Sequence, residues 1–296
     1  MNLAAIDIGT NSCRLFIARA SAGRLNPLYR GLETSRIGEG VSGSHFLKPE
    51  AIKRTIDCLG RFKEIMQTSA VQKHRIIATS AVREARNRRE FVARVKRELG
   101  LKVEVISGEE EAWLSYRGVC RGLDLSGEPL VADLGGGSTE LVWREAGRLR
   151  LLSLPVGAVR ATEENMSPEQ IRAVLMPLTT RREVFHGQPL VFVGGTATSV
   201  VAIMKGLQEY DREAVHGQIV QLSEVQLVYE NLRRMSLEQL LATPGIQKKR
   251  ADIITKGILV MLTIIREMGK GEVMVSESDL MDAVVWGLYE ECGLDQ

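Results

Sequence analysis

The chain has 296 residues, 44% hydrophobic and 26% charged, with a formal net charge of +2. That is longer than one typical domain and enough for two cores, while the near-balanced charge gives no general reason to bind nucleic acid or an acidic membrane surface. Cys13, Cys58, Cys120 and Cys292 are as scattered as the four histidines, which excludes a disulfide scaffold and a zinc site by spacing; the apolar start is too short for a secretory leader, and the longest apolar stretch, residues 257–265, is far short of the ~20 residues of a membrane span, so a cytoplasmic protein is expected.

In chain order, Leu3–Ile8, Cys13–Ala20 and Leu25–Leu32 are strand-like runs broken by Gly, Asn and Ser, a three-stranded opening meander. Ile52, Ile56, Leu59, Phe62 and Met66 recur at helical spacing after Pro49, as do Phe91, Val92, Val95 and Leu99, and Ile76–Ala78 and Val103–Ile106 are short apolar strands beside them. Strand, helix, strand, helix is the alternation of an α/β sheet. Arg83, Arg86, Arg88 and Arg89 crowd one stretch and read as a solvated helix or loop face. Asp124, Ser126, Gly127 and Pro129 then form a turn-rich stretch before a second cycle with strands at Leu130–Ala132, Leu141–Trp143, Leu149–Leu154, Leu190–Val193 and Val273–Val275 and a helical middle. The expected lobes are residues 1–124 and 125–296, with the last helix packing back on the first.

Asp7-Ile-Gly9-Thr10-Asn11-Ser12-Cys-Arg14 and Asp133-Leu-Gly135-Gly136-Gly137-Ser138-Thr139-Glu140 both read Asp-x-Gly-x-x-Ser after an apolar strand, nearly half the chain apart. The repeat points to a duplicated lobe. Glycine allows close backbone approach, so successive N–H groups and hydroxyls can cradle phosphate, and the aspartate can hold a cation that neutralises it; a plain tight hairpin explains either turn alone. Arg14 stands in the first segment where Glu140 stands in the second, a guanidinium for phosphate against a carboxylate for metal. Val193-Gly194-Gly195-Thr196 closes a strand and opens a helix, which suits an anion or merely packing. Ser107-Gly-Glu109-Glu110-Glu111 fits a capping box, yet three adjacent acids exceed that need and one of them can orient a water.

With Ala78-Thr-Ser-Ala-Val-Arg83-Glu-Ala-Arg-Asn87, these segments resemble the exopolyphosphatase and guanosine pentaphosphate phosphohydrolase (Ppx/GppA) family over essentially the whole chain. The resemblance implies two duplicated ribonuclease H-like lobes of the actin, Hsp70 and sugar-kinase superfamily with an interlobe cleft. It implies Glu111 as the catalytic residue acting on water, Asp133 and Glu140 with Asp7 as ligands of Mg2+ or Mn2+, Gly9–Ser12 and Gly135–Thr139 as phosphate loops joined by Gly194, Gly195 and Thr196, and Arg14 and Arg83 as partners of substrate phosphate. It further implies a homodimer as a common assembly. The resemblance is to a short, two-lobed form expected to do without the C-terminal helical domain of the family's long members, and Met281 stands where an arginine is expected, a change either in substrate contacts or in packing of the last helix. The leading expectation is Mg2+-dependent release of phosphate from the end of inorganic polyphosphate. Guanosine pentaphosphate is the nearest alternative substrate, and an ATP-dependent kinase or a non-catalytic polyphosphate or alarmone sensor are alternatives of other classes.

Overall fold

The computed structural model describes residues 1–21, 24–125 and 127–292. Ser126, part of the expected turn before the second cycle, lies outside them. Two compact units emerge: residues 1–114 joined by the C-terminal helix Leu280–Glu290, and Ser115–Asp279.

The first unit is built on β1 (Asn2–Ile8), β2 (Cys13–Ser21), β3 (Arg24–Glu33), β4 (Lys73–Ala78) and β5 (Val103–Val105), in the order β3-β2-β1-β4-β5. β1, β2 and β3 form the antiparallel meander, and β4 and β5 run parallel to β1. β1 is an uninterrupted apolar run up to Asp7 because both of its faces are covered. Ala4, Ile6 and Ile8 pack under the helix Pro49–Thr68 with Ile52, Ile56, Leu59 and Phe62. Leu3 and Ala5 pack on the other face with Val284, Val285, Leu288 and Tyr289 of the C-terminal helix. Each such large side chain contributes roughly 1.5–3 kcal/mol on burial, so the sheet is incomplete without that helix. Met281 lies in the same apolar cluster, 3% exposed, while its neighbour Asp282 pairs with Arg30 at 2.6 Å. The arginine-to-methionine departure is therefore part of the packing of this helix.

The second unit holds β6 (Leu130–Leu134), β7 (Thr139–Glu145), β8 (Arg148–Leu154), β9 (Leu190–Val193), β10 (Gln218–Gln221) and β11 (Glu272–Val275), in the order β10-β11-β9-β6-β7-β8. Without β10 the order and directions repeat those of the first unit, with β6, β7, β8, β9 and β11 in the places of β1 to β5. Motif repetition in the sequence thus corresponds to repeated topology. The apolar stretch 257–265 belongs to the helix Ile254–Glu267, which is buried almost all round in the core of this unit. Among the described residues no helix is long and apolar enough to cross a membrane. β10 is absent from the sequence reading. It is four residues long, with only Val220 buried between polar or exposed neighbours, too little alternation to register as a strand.

Candidate functional site

In the first unit, Asp7 and Arg14 are register partners across β1 and β2. Arg14 donates from Nε (3.0 Å) and Nη2 (2.7 Å) to Asp7 Oδ2, and the Asp7 side chain is only 7% exposed. The intervening turn closes through the Gly9 N–H donating to the Ser12 carbonyl at 3.0 Å. The Thr10 and Asn11 carbonyls accept from the N–H groups of Gly38 and Arg36, each at 2.9 Å. A trans peptide directs its N–H opposite to its carbonyl, so tying these carbonyls back turns the Asn11 and Ser12 N–H groups away from the supporting segment. That is the geometry of an anion-binding nest. Gly38 is needed for the support, because a Cβ there would meet the Thr10 methyl at 2.3 Å. The Cys13 thiol next to the turn is held well above its ordinary pKa by a hydrogen bond with the Cys58 thiol and by burial, so it is no nucleophile at neutral pH.

The three adjacent acids separate cleanly. Glu109 is exposed. The Glu110 N–H donates to Ser107 Oγ at 3.0 Å, as in a capping box, but its carboxylate turns to Arg75 at 2.6 Å instead of completing the box. Glu111 is buried, and Arg83 Nη1 donates to its Oε2 at 2.7 Å and to the Ile106 carbonyl at 3.3 Å. Arg14 and Arg83, both read from the sequence as phosphate partners, are each drawn to a carboxylate of their own unit.

In the second unit, Asp133 and Glu140 are register partners across β6 and β7, and Gly135 N–H donates to the Ser138 carbonyl at 3.0 Å. Directly opposite residues of an antiparallel pair have Cβ atoms about 5 Å apart, so two carboxylates share one side of the hairpin. The Gly135 carbonyl accepts from Ala158 N–H (3.0 Å), Gly136 from Val159 and Arg160 N–H (2.8 and 3.0 Å), and Gly137 from Arg160 Nε (2.8 Å). By the same peptide geometry the N–H groups of Gly136, Gly137 and Ser138 turn away from this support in succession. A Cβ on Gly157 would lie 2.6 Å from the Gly136 backbone, so the support needs glycine there. Ser115 donates its hydroxyl to Asp133, and Ser153 donates to Glu140 Oε1 at 2.8 Å. Thr139 is fully buried and its hydroxyl donates to the Val156 carbonyl at 2.6 Å, so its side chain fixes the hairpin from within.

The third glycine turn borders the same carboxylate. Gly194 has φ +98°, and a Cβ there would lie 2.6 Å from the Leu134 carbonyl oxygen and 3.5 Å from Asp133 Oδ1. Gly195 starts the helix Gly195–Met204 and is covered by the Arg250 guanidinium, which occupies the space a side chain would need. Thr196 is 4% exposed against Gly257 of the core helix. Of this turn, Gly194 is the residue that meets Asp133, while Gly195 and Thr196 are packed. Ser115, Ser153, Gly157, Arg160 and Arg250 escaped the sequence reading, since each acts across a fold-dependent contact; only the glycine at 157 beside the helix Ala158–Glu163 offered a local signal.

Among the described residues no group of three or more His, Cys, Asp or Glu side chains gathers into a metal cluster. The donor set of the second hairpin nevertheless fits magnesium, a hard cation that takes one or two carboxylates and fills its remaining positions with water and substrate phosphate.

Residues 16–291 match the model of the Ppx/GppA phosphatase family. Exopolyphosphatase 2 of Mycobacterium tuberculosis is 33% identical over 312 residues, covering 97% of this chain and 98% of that protein. The bifunctional 3-dehydroquinate synthase/phosphatase of Fusobacterium nucleatum is 34% identical over 96% of this chain, which spans about half of that relative, 46% of its length. The crystal structure of the Aquifex aeolicus Ppx/GppA family member superposes with a TM-score of 0.80 at 31% identity, covering 98% of each chain. An exopolyphosphatase structure from Cytophaga hutchinsonii shares the fold at a TM-score of 0.90 and 24% identity, again over 98% of each chain. The fold is α/β and two-domain, of the actin-like type.

Proposed function

Because the chain belongs to the Ppx/GppA phosphatase family, we propose that it is an exopolyphosphatase, releasing phosphate from the end of inorganic polyphosphate. The observation that carries this reading is the pair of hairpin turns whose carbonyls are tied back so that Asn11 and Ser12, and Gly136, Gly137 and Ser138, offer successive N–H groups to phosphate oxygens. A linear phosphate polymer is recognised by such groups without further functional handles. The reading is supported by the exopolyphosphatase relative that this chain matches nearly end to end.

In this mechanism Glu111 orients a water for attack on the terminal phosphorus and takes its proton, the phosphoanhydride bond breaks, and the shortened chain leaves with the bridging oxygen. Arg83 holds the Glu111 carboxylate in place at 2.7 Å. The nest N–H groups stabilise charge on the transferring phosphoryl oxygens. Asp133 and Glu140 are the residues that would hold Mg2+, which when bound neutralises phosphate charge. Asp7 is tied to Arg14 within its own hairpin.

Phosphate release from long-chain polyphosphate with Mg2+, and separately from guanosine pentaphosphate, tests the proposal. Wild-type protein is expected to release phosphate from polyphosphate, and Glu111→Gln to lower the rate by roughly 10²-fold or more. Release from guanosine pentaphosphate alone would replace the substrate, an unchanged rate in Glu111→Gln would remove the role given to that residue, and release from neither would overturn the hydrolase.

A further inference from the structure

Four arginines fall within residues 83–89, and their surroundings differ. Arg83 is half-buried and pairs with Glu111. Arg86, Arg88 and Arg89 are exposed, and among the described residues none of the three has a carboxylate partner. Other arginines of this unit do: Arg54 with Glu39, Arg61 with Glu33, Arg75 with Glu104 and Glu110, Arg94 with Glu98.

Arg86 and Arg88 are also held in place. The Arg86 N–H donates to the His45 carbonyl at 2.9 Å, and its guanidinium lies 6.0 Å from the Phe46 ring centroid. Asn87 fastens this segment to the facing loop, accepting from Leu47 N–H at 2.9 Å and donating to the Leu47 carbonyl at 3.0 Å. Arg88 Nη1 donates to the Arg83 carbonyl at 2.5 Å, which joins the exposed group directly to the residue that orients Glu111. Arg88 and Arg89 sit in the first turn of the helix Arg88–Leu99, where the helix dipole disfavours cations, and Asn87 gives that helix no side-chain cap. The nearby acids do not balance the group: Glu84 accepts from Ser80, Glu39 is taken by Lys48 and Arg54, and Glu90 is one carboxylate against three guanidinium groups. Like charges crowded at a helix start cost stability, and an external polyanion removes that cost.

We propose that Arg86, Arg88 and Arg89 form a phosphate-binding row outside the reacting position, which grips the uncleaved length of a polyphosphate chain. The inference rests on the polyphosphate reading above and adds to it the part of the substrate each residue meets. A long chain can meet all three arginines while its end is cleaved; a substrate of three phosphates is too short to engage the whole row. Exposed arginines also lose grip with salt, so the preference for long chains falls as ionic strength rises.

The test is an Arg86→Gln/Arg88→Gln/Arg89→Gln variant assayed on long-chain polyphosphate and on inorganic tripolyphosphate, beside a charge-matched control, Arg19→Gln/Arg148→Gln/Arg181→Gln. The expected result is a KM for the long chain raised about 10-fold, from three exposed ionic contacts, with kcat changed far less than KM, a smaller effect on tripolyphosphate, and a melting temperature equal or raised. Unchanged KM for the long chain, equal loss on both substrates, or the same shift in the control would each overturn the row. Calorimetric binding of long-chain polyphosphate to the Glu111→Gln protein, with and without the three substitutions, reads the row without turnover. If wild-type protein releases no phosphate, the hydrolase reading fails, whereas an unchanged Kd in calorimetry sinks the row alone.

Discussion

The β1–β2 and β6–β7 hairpins are the same backbone device with opposite electrostatics. Both close by a Gly N–H to Ser carbonyl bond of 3.0 Å, and both set an aspartate in register with the residue seven positions on. In the first that residue is Arg14, which cancels Asp7 within the hairpin. In the second it is Glu140, which doubles the negative charge beside Asp133. Duplication kept the turn that presents N–H groups, and one cross-strand substitution sets whether the hairpin carries a carboxylate–guanidinium pair or two carboxylates.

The sharpest way to break this comparison is to alter the two cross-strand partners. Arg14→Met leaves the buried Asp7 carboxylate without its guanidinium and is expected to cost about 3 kcal/mol in urea unfolding, as for other broken pairs of this kind. Glu140→Gln keeps an oxygen for the Ser153 hydroxyl and is expected to change Mg2+-free stability by less than about 1 kcal/mol. Mg2+ is expected to raise the unfolding midpoint of the wild type and to have little effect on Glu140→Gln. If both substitutions destabilise equally and Mg2+ stabilises both, the charge asymmetry is not what separates the hairpins.

The supports behind the turns give a second, smaller contrast. A Cβ on Gly157 would press on the Gly136 backbone at 2.6 Å, whereas one on Gly38 would first meet the Thr10 methyl at 2.3 Å and Ala81 Cβ at 2.9 Å. At Gly157 the nearest atoms are all backbone, whereas at Gly38 the nearest, the Thr10 methyl, can rotate aside and leave the Ala81 Cβ as the tightest remaining contact. Gly157→Ala is therefore expected to cost about 2 kcal/mol and to lower phosphate release by roughly 10-fold through displacement of the second turn, with Gly38→Ala costing about half as much. The reverse order would mean that the first turn is the more tightly supported.

The strands that end in Asp7 and Asp133 were legible because both of their faces are buried, which leaves apolar runs, and because glycine marks the turn at the same offset in each half. The repeat of that offset carried the duplicated topology. The burial of the Thr139 side chain had a signal in the sequence: at period two it shares a strand face with Leu141 and Trp143, both in the core. What could not be read are contacts between segments far apart in the chain, such as Ser115 to Asp133, Ser153 to Glu140 and Arg160 to the Gly137 carbonyl. The engagement of Arg14 by Asp7 and of Arg83 by Glu111 is of the same kind, since a sequence shows charges but not which partner each will meet.

The smallest expected effect separates the two supports by acid. Glu39 follows Gly38, whose N–H holds the Thr10 carbonyl, and its carboxylate bridges Lys48 at 2.8 Å and Arg54 at 2.9 Å. The hydrogen bond from Lys48, helped by Arg54, holds its pKa below the ordinary value of 4.5. A carboxyl depressed in the folded state contributes stability that is fully present above its unfolded pKa and is lost as pH falls through the folded one. Since all three side chains are substantially exposed, the contribution is a few tenths of a kcal/mol and weakens with salt. The support of the second turn runs largely through the N–H groups of Ala158, Val159 and Arg160, which do not titrate. Hydrogen exchange followed downward from pH 5 is therefore expected to show Gly38 and Arg36 losing protection before Ala158 and Val159, after correction for intrinsic rates. Glu39→Gln is expected to abolish that pH dependence in the first support, and a parallel loss in both supports would mean that acid acts through a group common to the two.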